Sequence, residues 1–117
     1  MKLDVQYRNK TLFINKRPLN FDFVVGNAFV VEDRVIFLLQ IPSNDKTVRN
    51  IYCLNSECAF LWQVQSVLEK FPNLTEELPL EGMSLNDNGN ISAYDFYGRN
   101  FEIDSKTGNI LDYSVSR

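Results

Sequence analysis

The stretch NIYCLNSECAFLWQVQ, residues 50–65, contains both cysteines and the only tryptophan of the 117-residue chain. Runs of apolar and aromatic residues, 51–54 and 59–62, lie on either side of the turn-like segment 55–57. Short runs of this kind bounded by turn residues are typical of β-strands. A link this short joins antiparallel neighbours, because a parallel return needs a dozen residues or more. The stretch therefore predicts a β-hairpin.

The same pattern recurs with an offset of fifty residues. Segment 49–54, RNIYCL, falls on segment 99–104, RNFEID, and segment 59–61, AFL, falls on segment 109–111, NIL. The chain is therefore expected to contain two similar hairpins.

The rest of the chain also has short alternating runs bounded by turn residues. We predict a mainly β fold: an antiparallel meander of about nine to eleven short strands, forming two blade-like or sandwich-like sheets. The predicted strands lie near residues 3–7, 11–15, 21–25, 28–31, 35–41, 50–54, 59–65, 84–85, 91–96, 100–104 and 110–115.

One segment departs from this pattern. Ser66 and Glu69 have the spacing of a capping box, which predicts a helix start. Pro72 and Pro79 disfavour helical geometry at the residues before them. We expect one short helix near residues 67–78, with Val67, Leu68 and Phe71 packing on the sheet.

The bulk composition indicates one folded domain, residues 1–117, because 44% hydrophobic residues suffice for a single core. The N-terminus lacks the apolar segment of a signal peptide, and the longest apolar run, 35–39, is too short to cross a bilayer. We expect a cytoplasmic protein that does not bind membranes.

The chain contains no histidine. This excludes Ser-His-Asp and Cys-His catalysis and removes the usual zinc ligands. Paired carboxylates, such as Glu76 and Glu77 with Asp95, remain a catalytic possibility. Adjacent glutamates near a loop are usually solvated, so we expect no enzymatic activity, no cofactor and no metal.

Two further arrangements have a chemical and a structural interpretation. Cys53 and Cys58 could face each other across the hairpin as a redox pair, but a buried Cys53 is explained equally by core packing. The spacing in residues 84–95 resembles a calcium loop, with oxygen ligands from Ser84, Asn86, Asn88 and Asp95. Asn88-Gly89 between alternating hydrophobics favours a tight hairpin turn instead.

Charge is distributed unevenly along the chain. Residues 69–112 hold nine acids and three bases, whereas residues 1–68 hold six acids and eight bases. Acids interleaved with tyrosines suit a basic protein surface and disfavour nucleic acid, whose phosphates need the opposite sign. The acids could also serve only solubility. The predicted partner-binding residues are Glu76, Glu77, Glu81, Asp87, Tyr94, Asp95 and Tyr97.

Asp104, Thr107 and Gly108 form a turn of the type Asp-x-x-Thr-Gly, and Trp62 ends a strand of the first hairpin. Together they resemble the hairpin of pyrroloquinoline-quinone-type β-propeller blades. Cys58 replaces the glycine in the first copy, and Asp112 replaces the tryptophan in the second. A propeller needs at least four blades, so the resemblance implies blade-like sheets and neither a quinone site nor an enzyme.

A small, acidic, histidine-free β domain without a catalytic motif is similar in profile to bacterial toxin-immunity proteins of contact-dependent growth inhibition systems. That resemblance implies stoichiometric occlusion of a cognate toxin, often a basic nuclease. The alternatives are a structural or oligomerisation domain that uses unpaired strand edges, or a small-molecule binder. The sequence leaves the oligomeric state open.

Overall fold

The computed structural model describes residues 3–115 and confirms the mainly β, antiparallel fold class. Eleven strands and one short helix follow each other along the described chain. They are β1 Val5–Arg8, β2 Thr11–Ile14, β3 Arg17–Asn20, β4 Val24–Val31, β5 Arg34–Gln40, β6 Ile51–Asn55, β7 Phe60–Gln63, α1 Val67–Lys70, β8 Leu80–Leu85, β9 Ile91–Asp95, β10 Arg99–Ile103 and β11 Ile110–Val115. No helix in this part of the chain is long and apolar enough to span a membrane.

The strands form three antiparallel meanders. The N-terminal sheet has the order β1-β2-β3, the central sheet β4-β5-β6-β7, and the C-terminal sheet β11-β10-β9-β8. Within each sheet, strands that are consecutive in sequence pair with each other, because the links between them are short. The sequence predicted two sheets, whereas the described residues form three: two of four strands and an N-terminal sheet of three strands.

Two strand boundaries near the N-terminus differ from the prediction. Segment 17–20 is a strand although it contains Pro18, because β3 is an edge strand and Pro18 costs little pairing there. Segments 21–25 and 28–31 do not form separate strands. One continuous strand, β4, runs from residue 24 to 31 with a register shift at Gly26.

The central sheet is buried on both faces. Ile36 and Leu38 of β5 pack in a core shared with the C-terminal sheet, whereas Val35, Phe37 and Leu39 pack in a core shared with the N-terminal sheet. Successive side chains of a strand point to opposite faces, so a strand between two cores needs apolar residues at every position. The unbroken apolar run 35–39 therefore marks the middle of a three-layer domain.

The two hairpins recognised by their fifty-residue offset are β6-β7 and β10-β11. In the first, residues 56–58 connect the strands, and in the second, residues 105–108 do so. Both turns end in the left-handed region, at Cys58 with φ 67° and at Gly108 with φ 78°. Cys58 thus occupies the backbone conformation that glycine takes in the second copy, but the second turn is one residue longer.

This extra residue changes which side chains face the core. Trp62 lies opposite Cys53, and both are buried. The fifty-residue counterpart of Trp62 is Asp112, which lies opposite Glu102 on the outer face of the C-terminal sheet. A shift of one residue in register moves a side chain to the other face of a sheet. Because the second turn is one residue longer, position 112 faces outward, and a polar residue is favourable there.

The hairpins also contact each other directly. A Cβ added at Gly108 would lie 2.5 Å from the Trp62 ring, and the Trp62 indole N–H donates to the Ser105 carbonyl at 3.2 Å. The tryptophan of the first hairpin therefore packs on the turn of the second and joins the two four-stranded sheets.

We predict that Gly108→Ala lowers the free energy of unfolding by about 2–4 kcal/mol. Left-handed backbone costs alanine about 1–2 kcal/mol, and the clash with Trp62 adds a comparable amount. Gly89→Ala is the matched control, because Gly89 has φ 86° but no atom near its added Cβ. Urea denaturation of both variants checks the difference, and equal losses would contradict the packing role of Gly108.

Candidate functional site

An open groove of about 580 Å³ lies at one end of the domain. The link between β5 and β6 forms one wall, and the link between α1 and β8, together with the β9–β10 turn, forms the other. We call it the acidic groove, because four of its lining residues are acids and one is a base. Its lining residues are Ile41, Pro42, Ser43, Asp45, Lys46, Val48, Glu76, Glu77, Leu78, Pro79, Glu81, Phe96 and Tyr97.

Asn50 holds the two walls of the groove together. Its side-chain amide N–H groups donate to the carbonyls of Leu39 and Leu80, each at 2.7 Å, and its side-chain oxygen accepts from the Leu80 N–H at 2.8 Å. Leu39 lies in β5, just before the link that forms one wall. Leu80 is the first residue of β8, just after the α1–β8 link in the other wall. Asn50 is fully buried, so these bonds satisfy polar groups that water does not reach.

The four acids of the groove are not equivalent. Hydrogen bonding by Thr47, through its hydroxyl and then its N–H, lowers the pKa of Asp45. Glu77 accepts from the Ser66 hydroxyl at 2.7 Å and from the Val67 N–H at 3.1 Å. These two carboxylates therefore already accept hydrogen bonds from residues of the same chain.

The remaining two acids are directed to solvent. Glu76 and Glu81 are exposed, and the Glu76 carboxylate accepts a long bond of 3.4 Å from the Tyr97 hydroxyl. Carboxylates exposed beside apolar wall residues can accept hydrogen bonds from lysine or arginine of another protein. Glu76 and Glu81 are thus the groove acids best placed to contact a partner.

Glu77 also replaces the capping box predicted for α1. Ser66 makes no side-chain cap bond, and the Glu69 carboxylate accepts instead from the Gln65 side chain at 2.8 Å. The helix N-terminus is capped from outside by the Glu77 carboxylate, which also complements its partial positive charge. The helix extends only over residues 67–70, and Val67 and Phe71 pack against the core as expected.

A buried ion pair holds the aromatic wall in place. The Arg99 guanidinium lies 2.6 Å from the Asp95 carboxylate and donates to the Glu76 carbonyl at 2.9 Å. Asp95 also accepts from the N–H groups of Tyr97 and Arg99. These bonds fix the β9–β10 turn and attach it to the α1–β8 link at Glu76, in the same wall of the groove.

This turn presents the most exposed aromatic side chains near the groove. Phe96 is 78% exposed and Tyr97 is 56% exposed. The Arg99 guanidinium lies over the Tyr97 ring, 5.7 Å from its centre, and this cation–π contact restricts the ring. Aromatic side chains held rigidly at a surface are typical anchors of protein interfaces, because they bury much area at little entropic cost.

The structure brings four of the seven predicted partner-binding residues together in the groove. These are Glu76, Glu77, Glu81 and Tyr97. Asp95 is 3% exposed and pairs with Arg99, so its carboxylate does not face a partner. Phe96 and the wall formed by residues 41–48 were not among the predicted residues. The exposed dipeptide Phe96-Tyr97 beside Gly98 in a turn is the signal that could have indicated this position.

The other two predicted residues lie outside the groove. Asp87 is exposed in the β8–β9 turn. Tyr94 lies on the outer face of the C-terminal sheet and covers Gly82, where an added Cβ would come within 2.5 Å of its ring. Both belong to the C-terminal sheet, whose segment 80–115 contains six acids and two cations.

Residues 84–95 form the predicted β8–β9 hairpin. Its turn is closed by hydrogen bonds from Asn86 N–H to the Asn90 carbonyl and from Gly89 N–H to the Asn86 carbonyl. Asn88 accepts from the Asn90 N–H at 3.1 Å, and Asp95 is buried with Arg99. Within residues 3–115, no three acidic or cysteine side chains cluster in a way that could hold a metal ion.

The two cysteines do not form a pair. Both are free, and Cys53 lies in the core shared with the C-terminal sheet, whereas Cys58 packs on the core shared with the N-terminal sheet. Burial raises the pKa of the Cys53 thiol to about 11. Because the thiolate is the reactive form, Cys53 is inert at physiological pH.

We predict that one thiol per native chain reacts with a disulfide reagent at pH 8, and that it is Cys58. Cys53 is fully buried, and burial raises the pKa of its thiol to about 11, so at pH 8 it reacts only when denaturant exposes it. Thiol titration of Cys58→Ser checks this: the native variant should show almost no reaction. Rapid reaction of Cys53 in the folded chain would contradict its assigned burial.

The fold and the groove define a three-layer antiparallel β domain with an acidic, aromatic groove at one end. The chain belongs to the family described as Domain of unknown function (DUF7957), whose model matches residues 2–115. No curated protein and no solved structure matches the chain.

Proposed function

We propose that the chain is an immunity-type binding protein. It neutralises a cognate bacterial toxin domain, a basic nuclease, by stoichiometric occlusion within the cytoplasm. The observation that carries the proposal is the meeting of two exposed carboxylates, Glu76 and Glu81, with the aromatic side chains of Phe96 and Tyr97 in one open groove. The groove needs no catalytic group for this role.

In this mechanism the groove substitutes for the toxin's substrate. Glu76 and Glu81 take the place of nucleic acid phosphates against lysine and arginine side chains of the toxin. Phe96 and Tyr97 fill hollows next to those cations and exclude water from the charge pairs. The ion pair between Asp95 and Arg99 keeps the aromatic wall preorganised, which lowers the entropic cost of binding.

The first test is the gene next to the one that encodes this chain. We expect the immediately upstream reading frame to encode a toxin-like C-terminal domain whose expression stops cell growth. Co-expression of this chain should restore growth, and the toxin domain should co-purify with it. If the neighbouring product is harmless, and no basic protein co-purifies, the proposed function fails.

A second candidate function is an oligomerisation domain, and the free edge of β11 favours it. Among residues 3–115, β11 pairs only with β10, and Leu111 and Val115 on this strand are exposed. An unpaired edge with exposed apolar side chains can add a strand from another copy. This alternative predicts larger species in size-exclusion chromatography at high concentration, which Leu111→Lys should dissociate.

A further inference from the structure

The outer face of the N-terminal sheet is a second charged surface. It is positive, whereas the C-terminal sheet is negative. Segment 3–23 contains four cations and two acids, whereas segment 80–115 contains two cations and six acids. The ion pairs found among residues 3–115 are Arg34 with Glu32 and Arg99 with Asp95. None of the four cations of segment 3–23 takes part in them.

Strand alternation places an aromatic ring in the centre of this face. Leu12 and Ile14 point into the core, so Phe13 between them points outward. Phe13 lies opposite Gln6 on one side and Pro18 on the other. An open hollow of about 450 Å³ covers the face, lined by Asp4, Gln6, Tyr7, Arg8, Phe13 and Lys16.

The cations stand at both ends of this hollow. Arg8 borders the β1–β2 turn, and Lys16 lies in the β2–β3 turn at the other end of the strands, with φ 68°. Phe13 lies between them, and Asp4 lines the Lys16 end. Strand alternation puts the Tyr7 ring on the other face of the sheet, so Tyr7 only borders the hollow. The surface therefore combines one cation at each end, one carboxylate and one aromatic ring in the middle.

The acidic C-terminal sheet does not cancel this positive field. The central sheet separates the two outer sheets, and packed sheets lie about 10 Å apart, which gives a separation of about 20 Å. At physiological salt, charges are screened over about 8 Å. An anion that approaches the N-terminal sheet therefore encounters mainly the local positive charge.

We propose that the outer face of the N-terminal sheet binds single-stranded nucleic acid. Arg8 and Lys16 contact backbone phosphates, and a base stacks on Phe13, as on other sheet platforms that bind single strands. The expectation that nucleic acid is disfavoured was based on the acidic half of the chain, and it does not apply to this layer. The proposal does not depend on the toxin partner, because the toxin would bind the acidic groove and not the N-terminal sheet.

The test is fluorescence anisotropy of the full chain with a labelled strand of about a dozen thymidines. We expect binding whose affinity falls with salt at a logarithmic slope of about −1.4 for the two phosphate contacts of Arg8 and Lys16. The double variant Arg8→Glu/Lys16→Glu should weaken binding by about a hundredfold. The matched control Lys70→Glu/Lys106→Glu changes net charge equally on the acidic side and should leave affinity within about threefold.

Phe13→Leu separates stacking from charge. It keeps an apolar side chain, so the fold is preserved, but it should lower affinity by about tenfold without changing the salt slope. Far-UV circular dichroism checks that each variant is folded. The proposal is overturned if the native chain does not bind the strand, or if both charge variants lose equal affinity. Stronger binding to a polyglutamate peptide or to anionic vesicles would also overturn it in favour of another anionic partner.

Discussion

Replacing Asn50 with alanine should lower the free energy of unfolding by about 3 kcal/mol. The substitution removes three buried hydrogen bonds and leaves the Leu80 N–H and the carbonyls of Leu39 and Leu80 without their partner. An unsatisfied buried polar group costs about 1–3 kcal/mol, and no water reaches this position to replace the amide. Chemical denaturation with tryptophan fluorescence measures the loss.

The internal repeat supplies the control for this prediction. Asn100 is the fifty-residue counterpart of Asn50, but it is half-buried and its amide donates only a long bond of 3.4 Å to the Gly98 carbonyl. Asn100→Ala should cost about 0.5 kcal/mol or less. If the two variants lose similar stability, the buried amide of Asn50 does not hold the central and C-terminal sheets together.

The second large effect is expected for Arg99→Met, which should cost about 3–5 kcal/mol. The Asp95 side chain is 1% exposed and would lose its ion-pair partner inside the protein. The Glu76 carbonyl would also lose its bond to the guanidinium. Because Arg99 joins the β9–β10 turn to the α1–β8 link, hydrogen exchange of the Phe96 and Tyr97 amides should accelerate in the same variant.

A double variant distinguishes an isolated charge from lost packing. Asp95→Asn/Arg99→Met removes both charges, and asparagine can still accept from the N–H groups of residues 97 and 99. The double variant should therefore be more stable than Arg99→Met alone. If instead the two substitutions add, with the double variant the less stable, burial of a lone carboxylate is not the cause of the loss.

The features that the sequence predicted correctly depend on neighbours along the chain. Alternating residues indicated the strands, and short links indicated antiparallel meanders. The run 35–39 lies within a strand predicted over residues 35–41, and its lack of alternation also indicates that both faces of this strand are buried. β3 was missed because Pro18 is unfavourable in a strand unless that strand lies at an edge.

The features that could not be predicted depend on contacts between distant segments. Ser66 and Glu69 have capping-box spacing, but Glu77 folds back to make the cap. The sequence predicted Asp95 to be a surface acid, but it is buried together with Arg99, four residues later in the chain. The groove itself brings residues 41–48 beside residues 76–81, and no local pattern in either segment indicates that they meet.

The most direct measurement for the central claim is calorimetric titration of this chain with the toxin domain encoded by the neighbouring gene. The account predicts one-to-one binding that Glu76→Lys/Glu81→Lys weakens at least about a hundredfold, because two attractive contacts become repulsive. The control Asp33→Lys/Glu57→Lys changes net charge equally at exposed positions outside the groove and should keep affinity within about threefold. Full affinity of the groove variant, or equal losses in both variants, would contradict the acidic groove as the binding surface.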